Sequence, residues 1–153
     1  MCGMKGCMKM IKNRFWFYLL SFTWGLPMTL IGCVAAAFLL SLGYKPYKYG
    51  YCYCFEVGNG WGGLNLGVII IVSKTALERT KSHEHGHAHQ NCLFGFFMPF
   101  IVGIPSVIRY WYREWLVGSG RKKYSELPDY DAVWYEGQAS EIGHQFMNWY
   151  NTK

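Results

Sequence analysis

The chain has 153 residues, room for one domain and not comfortably for two. Hydrophobic residues make up 52% and charged residues only 16%, against about 25% charged in an average soluble domain, so the composition points to a membrane protein or to large lipid-facing surfaces. The formal charge of +6 does not indicate a nucleic-acid partner, because the basic residues flank apolar runs instead of forming one stripe and no recognition motif accompanies them.

Residues 1–14 are basic and rich in Met and Gly, with Lys5, Lys9, Lys12 and Arg14, and are expected to fray or to lie on a membrane surface. The uncharged run that follows, Phe15 to Gly43, exceeds the ~7–15 residues of a signal-peptide core and is long enough for a bilayer, which takes ~20. Residues 15–43 are therefore the expected transmembrane segment. Pro27 either kinks one helix or splits the run into a helical hairpin. Trp16, Tyr18 and Trp24 at one end, with Tyr44, Tyr47 and Tyr49 at the other, suit interfacial belts.

Residues 44–73 read as a β-hairpin region or small sheet. Tyr47 to Val57 is aromatic, Gly58-Asn59-Gly60 signals a turn, and residues 64–73 are the best strand, with the β-branched run Val68 to Val72 at their centre. Six cysteines do not space as a disulfide framework or a zinc knuckle. Cys33 and Cys92 sit in apolar runs and are expected buried. Cys52 and Cys54 alternate, so they share a face.

Residues 74–117 hold a helix over about 75–93, capped by Thr75 or Ser82, and then an apolar stretch. Gly95, Pro99, Gly103 and Pro105 interrupt that stretch, so it is expected to be re-entrant. Arg109 and Arg113 with Trp111, Tyr112 and Trp115 read as an interfacial amphipathic helix. Residues 118–153 are a loop followed by a helix from about Asp131 to Tyr150, capped by Asp129 or Asp131. No internal repeat and no second domain boundary is present.

The helix at 75–93 contains His83-Glu84-His85-Gly86-His87. Residues four apart on a helix lie one turn above each other, so His83 and His87 can share one Zn²⁺, with Glu84 beside it to take a proton from a bound water. His85 and His89 make a second such pair and are expected to face away, while Gln90 and Asn91 are candidates to orient neighbouring groups. An exposed histidine patch with loose metal affinity is the competing reading of the same residues. A catalytic zinc needs a third protein ligand, and Trp134-Tyr135-Glu136-Gly137-Gln138-Ala139-Ser140 offers Glu136. Glu141 and His144 are further candidates.

With these two motifs the chain resembles the gluzincin metallopeptidases. The aminopeptidase-N-like branch takes its third ligand from W-x-x-E-G-x-A, here one residue shorter between Trp134 and Glu136. The membrane-embedded CAAX-type and heat-shock metalloproteases use E-x-x-A-D, matched by Glu136 and Ala139 but with Ser140 in the aspartate's place. The wider pattern, including Gly103-Ile104-Pro105-Ser106, resembles small bacterial integral-membrane proteins of unassigned substrate. The resemblance covers roughly a dozen residues of motif. It implies a bacterial cell-membrane location, a peptide or protein substrate, Zn²⁺ on His83, His87 and Glu136, and Glu84 as general base. It also implies an edge strand before the active-site helix that holds an extended peptide by β-augmentation. His144, Tyr130 or Tyr135 would then assist the oxyanion.

The expected fold is thus an α+β membrane protein with a zincin-like active-site helix. The expected function is a membrane-bound zinc-dependent peptidase. A non-catalytic membrane protein with a metal-binding histidine cluster and an accessory subunit of a membrane assembly are the alternatives. A zinc site also requires that residues 93–117 turn back instead of crossing the bilayer, since crossing would part His83 from Glu136.

Overall fold

The computed structural model describes residues 10–153. The basic stretch expected at a membrane surface lies mostly outside these residues, as do Cys2 and Cys7. The first apolar run forms two helices, α1 (Arg14–Phe22) and α2 (Leu26–Ser41), set at 90° to each other. Asn13 caps α1 by accepting from the backbone N–H groups of Phe15 and Trp16 at 2.9 and 3.4 Å. Pro27 falls in the first turn of α2, where its missing N–H costs nothing. It therefore starts a helix and does not kink one.

No single described helix is long and apolar enough to cross a membrane. Of the two readings of residues 15–43, one kinked helix or a run split at Pro27, the right-angled pair matches the split one. The other bent pair, joining Glu78–Phe97 to Pro99–Gly118, turns through 116°.

A four-stranded sheet follows, with β1 (Tyr47–Tyr49), β2 (Cys52–Glu56), β3 (Gly63–Leu66) and β4 (Ile69–Val72) in the order β1-β2-β4-β3. β2 and β4 are parallel and the outer pairs antiparallel. The single strand expected at 64–73 is in fact a tight hairpin. Gly67 takes φ +69°, and Asn65 closes the turn through two hydrogen bonds to Gly67, each 3.1 Å. Only glycine enters that conformation cheaply. β4 becomes an inner strand beside β2, with Ile70 and Val72 fully buried, and β3 is left at the sheet's edge.

α3 (Glu78–Phe94) packs against β3 and against α5 (Trp134–Asn151). Neither expected cap of α3 serves. Leu77 occupies the N-cap position; Thr75 instead bonds Ser73 at 2.8 Å, and Ser82 donates to the carbonyl of Arg79 from inside the helix at 3.0 Å. α5 likewise starts later than expected, with Val133 at its N-cap. Between them the chain passes through a 3₁₀ turn (Gly95–Phe97), a π-helical turn (Pro99–Gly103) and α4 (Ile104–Gly118). Gly95, Pro99 and Gly103 stand in these turns, and Pro105 in the first turn of α4. They send the chain back, so that α5 returns to α3.

α4 buries none of its residues. Ile104, Val107, Ile108, Trp111, Tyr112 and Trp115 are all exposed on it, and Leu30, Ile31, Val34 and Phe38 are exposed on α2. Cys33, expected in the core, is also exposed, because α2 packs only one side; Cys52, Cys54 and Cys92 are buried.

Candidate metal centre

Where α3 and α5 cross, their backbones touch. A Cβ on Gly86 would strike the carbonyl of Ala139, and one on Gly143 would strike the carbonyl of Ser82. These two glycines allow α5 to approach closely enough for the first turn of α5 to reach the histidines of α3.

At that crossing Nε2 of His83 lies 3.1 Å from Nε2 of His87 and 3.1 Å from Oε2 of Glu136, and Nε2 of His87 lies 3.2 Å from the same oxygen. Two ligands about 2.1 Å from one tetrahedral ion are about 3.4 Å apart, close to these separations. The three residues form a group able to hold a metal ion.

The surroundings of each ligand sharpen the fit. Gln90 donates from Nε2 to the Tyr135 carbonyl and to Gln138, both at 2.8 Å. Its Oε1 is thereby left to accept from Nδ1–H of His87 at 2.7 Å. Ser140 stands 2.7 Å from Nδ1 of His83 and donates its own proton to Asp131 at 2.9 Å, so it accepts from His83. Ser106 donates to Oε1 of Glu136 at 2.6 Å. Both Nδ1 protons are therefore directed outward, and both Nε2 lone pairs face a carboxylate oxygen. Three acceptors facing one another call for a positive charge among them, either a proton shared between an Nε2 and Oε2 of Glu136 or a metal ion.

Glu136 is fully buried. Burial pushes its carboxyl up, but hydrogen bonds to His83 and His87 outweigh that and hold it well below the usual carboxylate range. Burial pulls His87 down, yet its contacts with Glu136 and Glu84 raise it overall. Glu84 is raised, by burial first and by Glu136 in lesser part, against the pull of His83 and His87. Its carboxyl lies against Gly63, where a Cβ would come within 2.7 Å of Oε1.

Glu84, His83 and His87 line a cavity of about 300 Å³ whose other walls are the strand β3 and the apolar residues Met98, Val102, Ile104 and Val107. A second, more polar hollow shares Gly63, His83, Glu84 and Tyr130 with the first. Of the three residues proposed to assist an oxyanion, Tyr130 alone lines either hollow. Burial pushes its hydroxyl up to about 12, so it remains a donor. Tyr135 contributes its backbone carbonyl to Gln90, and His144 lines a separate groove with Tyr49 and Glu78. Glu141 lies in that same groove and is not among the ligands.

His85 and His89 point to the opposite side of α3, buried among Phe17, Tyr51 and Phe146. Nε2 of His85 accepts from the backbone N–H of Tyr51 at 3.1 Å, and Nδ1 of His89 from that of Ile11 at 3.3 Å. They are buried packing groups and not an exposed patch. Gln90 orients His87, whereas Asn91 reaches away, donating to the carbonyl of Gly25 at 3.1 Å.

Sequence reasoning missed Ser106, Asp131 as a partner of Ser140, and the roles of Gly63 and Gly86. A glycine inside a helix that carries a ligand pair was a readable sign of close backbone approach. The hydroxyl contacts had no such sign. Comparison with protein-family models, with curated proteins and with solved structures finds no match.

Proposed function

We propose that this chain is a membrane-bound zinc-dependent peptidase. The observation that carries the reading is the triangle of His83, His87 and Glu136, with outward-committed Nδ1 protons, beside a buried Glu84 of raised pKa at the wall of a cavity. Bound Zn²⁺ supplies Lewis acidity, drawing the pKa of water toward ~7 and polarising a carbonyl.

The chain's own residues supply the rest. β3 lies at the edge of the sheet and its residues Gly63 to Leu66 line the cavity, so an extended peptide can pair with its outer edge. Apolar side chains of that peptide are received by Met98, Val102 and Ile104. Glu84 accepts a proton as water oxygen bonds to the peptide carbon. It returns the proton to the leaving amine as the C–N bond breaks. A buried carboxyl with a raised pKa takes up and gives back a proton more readily than a solvent-exposed one. The Tyr130 hydroxyl donates to the carbonyl oxygen as charge grows there.

The bilayer is the partner that suits the exposed apolar faces of α1, α2 and α4. Their arrangement as bent pairs favours helices that enter one face of a membrane, with the site at that face. The resemblance to small bacterial membrane proteins makes the cell membrane the natural location. A loose histidine store is less well supported, because His85 and His89 are buried and bonded elsewhere.

Metal content per chain tests the reading, measured by mass spectrometry on the wild type, Glu136→Ala and His87→Ala. Near one zinc in the wild type and loss in both variants is expected. Absent zinc, or zinc indifferent to Glu136→Ala, would overturn it.

A further inference from the structure

His83 is held at both ring nitrogens by one face of α5. Glu136 and Ser140 are four residues apart, so they stack on that face. Oε2 of Glu136 sits 3.1 Å from Nε2 and Oγ of Ser140 sits 2.7 Å from Nδ1. A serine alone is a poor orienting partner for a ligating imidazole, since its hydroxyl rotates and can donate or accept. Here the ambiguity is removed. Asp131, an acceptor only, takes the serine proton at 2.9 Å, and Arg79 holds the other carboxylate oxygen of Asp131 at 2.8 Å.

The position of Asp131 is built for this contact. It lies in the 3₁₀ turn Tyr130–Ala132, just before α5. That turn lies directly on the helix, because a Cβ at Gly137 would come within 2.7 Å of the Asp131 carbonyl. The sequence Glu136-Gly137-Gln138-Ala139-Ser140 thus carries a ligand, a space for Asp131, the contact with Gly86 and the serine link. Metal-bound imidazoles are commonly oriented by a carboxylate on the far nitrogen, which fixes the tautomer and raises basicity.

We propose that Asp131 is the positioning carboxylate of His83, acting through the Ser140 hydroxyl as a relay. The proposal rests on the metal-site reading above. Neither residue belongs to the ligand group; their effect is on how well His83 serves as a ligand.

The test uses the full chain in detergent, with zinc affinity measured by competition against a chromogenic chelator. Visible spectra of the Co²⁺-substituted protein give a second readout. Asp131→Ala and Ser140→Ala are each expected to weaken zinc binding ~10–100-fold, the usual effect of losing such a partner, and to shift the Co²⁺ bands. The double variant is expected to be no worse than either single one, because both break one path. Ser140→Asp places a carboxylate directly on Nδ1. With Asp131→Ala beside it, so that no second carboxylate crowds the new one, it is expected to hold zinc as the wild type does. Wild-type affinity within about twofold in both single variants, or an Asp131→Ala defect that persists beside Ser140→Asp, would overturn the relay while leaving the metal site standing. A wild type that binds no zinc would overturn both.

Discussion

Gly86→Ala gives the sharpest test of the α3–α5 crossing, because two effects of opposite sign compete there. In a helix with open space beside it, glycine to alanine stabilises by about 1 kcal/mol. At Gly86 the added methyl would meet the backbone carbonyl of Ala139, which cannot rotate aside as a side chain does. Overpacking costs about 1–3 kcal/mol, and a backbone neighbour that cannot rotate aside puts Gly86 in the upper part of that range, about 2–3 kcal/mol, so a net loss of about 1–2 kcal/mol remains after the propensity gain of about 1 kcal/mol. For a chain of this size that lowers Tm by about 2–8 °C. Moving α5 outward also withdraws Oε2 of Glu136 from two nitrogens now 3.1 and 3.2 Å away. Zinc affinity is therefore expected to fall by at least about tenfold. Thermal unfolding in detergent and chelator competition measure the two effects. Gly118→Ala is the control, since nothing lies within 4 Å of a Cβ there, and it is expected to be neutral or mildly stabilising. A Gly86→Ala protein with raised Tm and undiminished zinc would refute the close crossing.

Glu84→Gln is expected to keep near one zinc per chain while peptide cleavage falls ~10²–10⁴-fold; metal analysis beside a turnover assay decides it, and unimpaired cleavage would remove Glu84 from the chemistry. Ser106→Ala removes the donor to Oε1 of Glu136, and the zinc dissociation constant is expected to rise ~10–100-fold, read by chelator competition. His85→Leu leaves the buried N–H of Tyr51 without its acceptor, so chemical denaturation is expected to show a loss of ~1–3 kcal/mol, with zinc stoichiometry unchanged. Zinc lost from that variant would mean the two histidine pairs are not independent.

The ligand group was legible because its information is periodic. Two histidines one helical turn apart announce a shared face, and Glu136 stood in a motif. The same periodicity placed His85 and His89 on the opposite side. What it could not show was hydrogen bonding between residues far apart in the chain. Ser106 and Asp131 are ordinary residues until folding sets them against Glu136 and Ser140. Local conformation misled in three places. The apolar run at 64–73 reads as one strand unless Gly67 is recognised as the turn that its φ of +69° makes it. Cys33 sits in an apolar helix that packs on one side only, so apolar neighbours did not mean burial. The caps expected from Thr75, Ser82 and Asp131 are side chains bonded instead to Ser73, to the Arg79 carbonyl and to Ser140.

His87 and Glu136 are 49 positions apart. At ~5–20 residues per second, a ribosome spends about two to ten seconds between them. During that interval the nascent chain carries paired imidazoles without the carboxylate that completes the triangle. A metal ion at this triangle would have all three groups around it only after the returning segment has turned back and α5 has docked. A truncated or misthreaded polypeptide is accordingly left without the assembled triangle, and under the proposed zinc site metal loading would be a timestamp of completed folding.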